Sequence, residues 1–261
     1  EPCCVLQWTP FDTAGRVIVG AGSTLNGVNE FSDILDIAID RDGDLYVLDG
    51  QHGRIVKIHD GVGEVVGGGR LVLDVPDGTR ALYIGAAGAI YFVDEGGSRV
   101  QRYFEGTTSV VAGGSEAGSG PAQLEDAEDI FVTDDGTLYV SDSGNNRIQK
   151  WSSGQSEGVT VAGGNGKGSR LDQLNHPVGL YVTDDASVYL ADYQNHRIMK
   201  WREGWRSGLV VAGGHSSGSG LHQLYEPIDV TMDASGALWI ADNGNSRVVR
   251  WAAPSHLYEE L

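Results

Sequence analysis

Six acidic residues and one histidine recur at two fixed offsets in this sequence, and side chains of this kind bind cations or transfer protons. The positions are counted in residues before five repeated aspartates, each of which ends a short apolar run. Sixteen residues before these aspartates stand Asp33, Gly78, Asp126, His176 and Glu226. Three residues later stand Asp36, Ala81, Asp129, Gly179 and Asp229.

Like charges gathered in a small space raise one another's pKa or require a cation. Carboxylate oxygens favour Ca²⁺, whereas the imidazole of His176 leaves Zn²⁺ open as an alternative. A hydrated acidic opening that holds no ion is the other interpretation. The predicted metal ligands are Asp36, Asp129 and Asp229, with Ca²⁺ as the expected ion.

The five reference aspartates belong to a repeat, which must position these side chains. Each aspartate is followed five residues later by an arginine, and the last three copies are spaced by fifty residues. A unit of this length cannot bury its apolar faces alone, so neighbouring copies must build the core together. The aspartates are Asp49, Asp94, Asp142, Asp192 and Asp242, and the arginines are Arg54, Arg99, Arg147, Arg197 and Arg247.

Each repeat contains four short β-rich runs separated by turns, without a helical pattern. Four antiparallel strands in about fifty residues are typical of a β-propeller blade. We therefore predict an all-β propeller in one domain, residues 1–261, with five four-stranded blades and six as the alternative. We expect the first outer strand, Arg16–Gly20, to close the ring by joining the last blade. Cys4–Trp8 resembles a further strand of that blade or half of a sixth blade. The second strand of each repeat is predicted near 45–49, 90–94, 138–142, 188–192 and 238–242.

The most regular copies resemble the NHL repeat. They read Asp142-Ser-Gly-Asn-Asn-Arg-Ile-Gln-Lys-Trp151, Asp192-Tyr-Gln-Asn-His-Arg-Ile-Met-Lys-Trp201 and Asp242-Asn-Gly-Asn-Ser-Arg-Val-Val-Arg-Trp251. The resemblance implies a propeller fold across nearly the whole chain. It also implies several function classes, namely protein-binding or peptide-binding adaptors, RNA-binding domains with basic surfaces, and metal-dependent enzymes.

The residues shared by all copies are predicted to build the fold, because a catalytic device is rarely built once per repeat. The residues that vary at equivalent positions are where a ligand would be recognised. No catalytic residue is assigned. The predicted ligand-binding residues are Asp33, Asp126, His176, Glu226, Tyr193 and Tyr225, all in loops at one end of the strands.

The formal net charge of −18 indicates the kind of partner. An acidic chain repels phosphate backbones and attracts cations, so nucleic acid is disfavoured and a protein, peptide or cationic ligand is favoured. No apolar run is long enough to span a membrane, and a soluble protein of undetermined location is expected.

The expected function is therefore non-enzymatic binding at an acidic face of the propeller. A Ca²⁺ ion in the central channel, around which the blades are arranged, is the expected additional component. The alternative implied by the resemblance is a metal-dependent channel enzyme of the lactonase or amidating-lyase type. A lactonase would use Asp129 or Glu226 as its base. The lyase would need three channel histidines, and only His176 stands in the required register.

Overall fold

The structure is a computed structural model, and it describes residues 4–9, 13–20, 28, 31, 33–68, 75, 78–94, 96 and 98–252. The chain divides into two compact units, Glu1–Ser115 and Glu116–Leu261. Each unit is built from short antiparallel strands. No helix among the described residues has both the length and the apolar character needed to cross a membrane.

The first unit contains a two-stranded sheet followed by two four-stranded sheets. Its strands are β1 Cys4–Gln7, β2 Arg16–Gly20, β3 Ile34–Ile39, β4 Leu45–Asp49, β5 Arg54–His59, β6 Val62–Gly68, β7 Leu82–Ile84, β8 Ile90–Asp94, β9 Arg99–Phe104 and β10 Thr107–Gly113.

The second unit contains two four-stranded sheets and one three-stranded sheet, each with its strands in sequence order. Its strands are β11 Ala127–Val132, β12 Leu138–Asp142, β13 Arg147–Trp151, β14 Val159–Gly163, β15 Pro177–Val182, β16 Val188–Asp192, β17 Arg197–Trp201, β18 Leu209–Gly213, β19 Pro227–Met232, β20 Leu238–Asp242 and β21 Arg247–Trp251.

These five larger sheets are the five blades of a β-propeller, so the predicted fold class is confirmed. Four blades have four strands, and the described part of the last blade has three. Within each blade we name the strands a to d in chain order. The segment Cys4–Gln7 forms a strand, as expected, and pairs with Arg16–Gly20. Closure of the ring by Arg16–Gly20 stays a prediction, and Cys3 lies outside the described residues.

Apolar side chains fill the space between neighbouring blades of the second unit. Tyr139 and Ile148 of one blade pack with Leu180 and Val182 of the next. The same pattern follows one blade later, where Tyr189 and Ile198 share a cluster with Val230. Alternation along each strand directs one face toward the preceding blade and the other toward the following blade. The sequence repeat therefore packs as a spatial repeat.

The repeated aspartate at the end of strand b is fully buried in all five blades, and its carboxylate organises the b–c loop. In the fourth blade, Asp192 Oδ1 accepts the backbone N–H of Asn175 at 2.7 Å. Its Oδ2 accepts Asn195 Nδ2 at 2.8 Å and Arg197 Nε at 2.7 Å. Burial raises the pKa of Asp192, and the nearby Arg197 charge and these donors oppose that rise.

The arginine of each pair connects this carboxylate to the d–a loop. Arg197 donates from Nη1 to the backbone oxygen of Ser169 at 2.9 Å, and from Nη2 to those of Arg170 and Gln173 at 3.1 and 3.0 Å. One guanidinium thus satisfies three carbonyls in a loop without regular pairing. The same bonds recur around Arg147 and Arg247. The b–c and d–a loops therefore lie together at one end of the blades, as predicted.

Glycine ends strand d because the backbone of the b–c loop passes against it. Gly213 has φ of +70°, and a Cβ there would lie 2.5 Å from the carbonyl oxygen of His196. Gly163 meets Asn146 in the same way. This contact explains the first glycine of the Val-Ala-Gly-Gly sequence at Gly163 and Gly213.

Replacing Arg197 by alanine is expected to destabilise the protein by about 3–5 kcal/mol, because the buried Asp192 carboxylate would lose its charged partner. Chemical denaturation followed by tryptophan fluorescence measures this loss. The matched control is Arg170→Ala, whose ion pair with Asp172 is exposed, and its denaturation midpoint is expected to stay close to that of the wild-type protein. Equal effects of the two substitutions would contradict the structural role of the buried pair.

Candidate functional site

Three predicted ligand residues occupy one backbone position in consecutive blades, immediately before strand a. Asp126, His176 and Glu226 have φ of 51°, 56° and 51°, in the left-handed region. Most side chains other than glycine are disfavoured there by about 1–2 kcal/mol, and Asn, Asp and His are the residue types that tolerate this region best. Gly78, the equivalent residue in the first unit, has φ of 87°. The backbone therefore favours glycine at this position, while the chain places acidic or imidazole side chains there.

A second left-handed residue, at the end of each b–c loop, holds the first one in place. Asn146 Oδ1 accepts the backbone N–H of His176 at 3.0 Å, and His196 Nδ1 accepts that of Glu226 at 3.1 Å. Each loop thereby binds the next blade through one side-chain acceptor.

Replacing His196 by alanine should cost about 1–2 kcal/mol of stability, because the Glu226 N–H loses its acceptor. His196→Asn should restore most of that loss, since Asn146 performs the same task one blade earlier and asparagine tolerates left-handed backbone. Urea unfolding of the three proteins measures the difference. An asparagine variant as unstable as the alanine variant would show that the hydrogen bond contributes little.

Aromatic and acidic side chains form a continuous surface over the fourth blade and its junction with the fifth. The rings of His176 and Tyr193 meet edge to face with centroids 5.9 Å apart, and those of His196 and Tyr225 do so at 5.4 Å. Partial burial raises the pKa of Tyr193, and a hydrogen bond to Glu226 and the charge of that carboxylate raise it further. We call His176, Tyr193, Tyr225 and Glu226 the tyrosine–glutamate surface.

A different cluster lies one junction earlier, between the third and fourth blades. Asp126, Glu128 and His176 each offer one ligand atom, and the three atoms lie within 4.8 Å of one another. All three residues are half-buried. Two carboxylates and one imidazole at this separation form the only group of three or more metal-ligand side chains that the described residues bring together.

The predicted calcium ligands have backbone partners. Asp129 Oδ1 accepts the N–H of Ile130 at 2.7 Å, and its Oδ2 accepts the N–H of Leu180 in the next blade at 2.8 Å. Asp36 repeats this arrangement with Ile37 and Leu82 at 2.8 and 2.7 Å. These aspartates therefore connect the inner strands of neighbouring blades. Calcium binding by Asp36, Asp129 and Asp229 stays a prediction.

Asp229 differs from its two counterparts, because its carboxylate has a backbone N–H partner only in its own strand among the described residues. Its Oδ1 accepts the N–H of Val230 at 2.7 Å. The carboxylate lies against Gly179, where a Cβ would be 2.4 Å from Oδ1. Asp229 keeps solvent-accessible surface, yet many protein atoms lie around its carboxylate. The resulting loss of hydration raises the pKa of Asp229 to about 6.

A pKa of about 6 in the folded protein, against 3.8 for an unperturbed aspartate, makes stability depend on pH. The folded state binds the proton more tightly, so Asp229 lowers stability as pH rises from about 4 to about 6. Asp229→Asn should remove this dependence and stabilise the protein at pH 7 by about 1 kcal/mol, allowing for solvent access. Thermal unfolding at pH 4.5 and 7 measures it, and an asparagine variant less stable than wild type at pH 7 would contradict the assignment.

Asp126, His176, Glu226, Tyr193 and Tyr225 all lie in loops or strand ends of the second unit, and the contacts above relate each to at least one other. Asp33 belongs to the first unit, where it is exposed before β3 and its backbone oxygen accepts the N–H of Gly50 at 2.8 Å. The role of all six residues in ligand binding stays a prediction.

Sequence reasoning missed two residues of this region, Glu128 and His196. Glu128 could have been found by comparing the copies at the position two residues after Asp126 and its equivalents. That position holds Leu35, Arg80, Val178 and Ile228 in the other blades, so a carboxylate there is a departure from the repeat.

Comparison with known proteins supports the fold. The family model described as the NHL repeat matches residues 124–151 and 224–251, which confirms the resemblance to NHL-repeat β-propellers. These two matches cover the b–c loops and buried Asp–Arg pairs of the third and fifth blades. No curated protein sequence matches the chain.

Several solved structures are similar at low sequence identity. An auxiliary nutrient binding protein from Bacteroides thetaiotaomicron has 14% identity and a TM-score of 0.65, over 85% of this chain and 59% of its own. A virginiamycin B lyase from Staphylococcus aureus has 14% identity and a TM-score of 0.57, over 94% and 76%. A gluconolactonase from Xanthomonas campestris has 15% identity and a TM-score of 0.57, over 84% and 75%.

Likeness at this identity shows the fold alone, and binding proteins and enzymes both occur among these structures. The chain spans less than two thirds of the length of the nutrient binding protein. Function must therefore be argued from the side chains of this chain.

Proposed function

We propose that this protein is a binding propeller that takes a cationic group of a protein or peptide on the tyrosine–glutamate surface. The observation that carries the proposal is the set of functional side chains at left-handed positions. Glu226, which bears the carboxylate of this surface, stands where the backbone favours glycine, and His176 occupies the same position one blade earlier; this supports a use of the two side chains outside folding.

The chemistry of the surface suits a lysine or arginine side chain. Tyr225 is 40% exposed, and a tyrosine ring attracts a cation placed over its face. The adjacent Glu226 carboxylate can accept charge-assisted hydrogen bonds from the same group. The net charge of −18 would speed the approach of a basic partner.

An enzymatic function of the lactonase or lyase type has less support from the side chains. Both oxygens of Asp129 already accept backbone N–H groups, which disfavours this residue as a general base. Glu226 remains the other candidate base, and its hydrogen bond with Tyr193 fits a binding role equally well.

A short lysine-rich and arginine-rich peptide should bind the wild-type protein, and calorimetric titration measures the dissociation constant. Tyr225→Ala and Glu226→Gly should each weaken binding by about tenfold or more, equivalent to about 1.4 kcal/mol. Glycine suits the left-handed backbone of residue 226, and the variant keeps the backbone N–H that binds His196, so it should stay folded.

The control for this titration is Asp184→Asn, which removes one negative charge from the exposed a–b turn at the other end of the fourth blade. Its dissociation constant should change by less than about twofold, since a distant surface charge is screened. Equal weakening by Asp184→Asn and Glu226→Gly would show attraction by net charge alone and would overturn the proposed surface.

A further inference from the structure

The junction between the third and fourth blades carries a cluster that shares His176 with the tyrosine–glutamate surface and adds two carboxylates that this surface lacks. Asp126 and His176 occupy the same backbone position in adjacent blades, and Glu128 follows Asp126 on strand β11. The blade repeat thus brings side chains from two distant parts of the sequence to one place. Their ligand atoms lie within 4.8 Å of one another.

From this geometry we infer that Asp126, Glu128 and His176 bind a divalent transition-metal ion. Ligand atoms around Zn²⁺ lie about 2.0–2.2 Å from the ion, which separates them from one another by about 3–4 Å. The separations here, all within 4.8 Å, are close to this range. Asp126 and His176 stand directly before the first strands of their blades, and Glu128 lies within β11 where the pairing register shifts between Ala127 and Ile130.

The donor set selects the class of ion. Ca²⁺ takes six to eight oxygen ligands, and an imidazole is a poor substitute for one of them. Zn²⁺ accepts carboxylate oxygen and imidazole nitrogen together, as do Mn²⁺ and Co²⁺. Three protein ligands leave at least one coordination position for water or for a group of a bound partner.

Comparison of the copies indicates that the fold does not require this donor set. The position of Glu128 is apolar in three other blades and holds Arg80 in the remaining one. The position of His176 holds Asp33, Gly78, Asp126 or Glu226 elsewhere. At the next junction, between the fourth and fifth blades, the positions equivalent to Glu128 hold Val178 and Ile228. The same three-ligand group is therefore not repeated there.

The direct test is titration of the chelator-treated full chain with Co²⁺, followed by its visible absorption, and competition with Zn²⁺. The wild-type protein should bind one equivalent and show the ligand-field absorption of a cobalt ion with nitrogen and oxygen ligands. Glu128→Gln and His176→Gly should each weaken binding by at least about tenfold. Glycine suits the left-handed backbone of residue 176, and equal melting temperatures without metal would establish that the variants are folded.

Glu226→Gly is the matched control, since it changes the same backbone position one blade later. It should keep the cobalt site while losing affinity for the basic peptide, so failure of the metal site and failure of the peptide surface are distinguishable. Absence of stoichiometric binding would overturn the inference. Binding that persists unchanged in both Glu128→Gln and His176→Gly, or tighter binding of Ca²⁺ than of Zn²⁺, would also overturn it.

Discussion

The buried aspartate at the end of each strand b is the constraint on which the rest of this structure depends. A charge removed from water must be compensated, and Asp142, Asp192 and Asp242 are compensated in the same way. Each accepts a backbone N–H from the residue before the left-handed position, an asparagine amide three residues on and an arginine five residues on. The arginine then binds three carbonyls of the d–a loop. One carboxylate therefore fixes two loops whose backbone groups would otherwise lack partners.

This arrangement separates folding from function along the repeat. The residues that satisfy the loops are confined to a few fixed positions, so the positions beside them are free to differ between blades. Asp126, His176 and Glu226 follow directly after Glu125, Asn175 and Tyr225, whose backbone N–H groups the buried aspartates accept. The loop network thus holds the variable side chains at a defined height above strand a. Rigid support of this kind is what a binding site requires.

The sequence was sufficient to predict the strands, the blade repeat and the structural role of the Asp–Arg pairs. A period near fifty residues allows few architectures, and the pairing of Asp192 with Arg197 follows from their positions on adjacent strands. The sequence also placed the variable residues correctly at the start of strand a. It could not show the second oxygen of Asp129 bonding to Leu180, because that contact depends on how closely two inner strands approach.

The role of His196 was hidden for a similar reason. Its acceptor function depends on a left-handed backbone at residue 196 and on the position of the next blade, and neither follows from a local pattern. Glu128 was overlooked because it lies within a strand, between two registers that already contained acidic residues. Departures from the repeat inside strands therefore indicate function as well as departures in loops.

The central claim is that the variable residues of the second unit bind a ligand while the repeated Asp–Arg pairs hold the fold. Hydrogen exchange, measured by mass spectrometry with and without a basic peptide, tests it most directly. The account predicts that added protection is concentrated in residues 192–197 and 222–228, with the a–b turns at 133–137 and 183–187 unchanged. Protection that appears chiefly at those turns, or no change at 192–197 and 222–228 under saturating peptide, would contradict it.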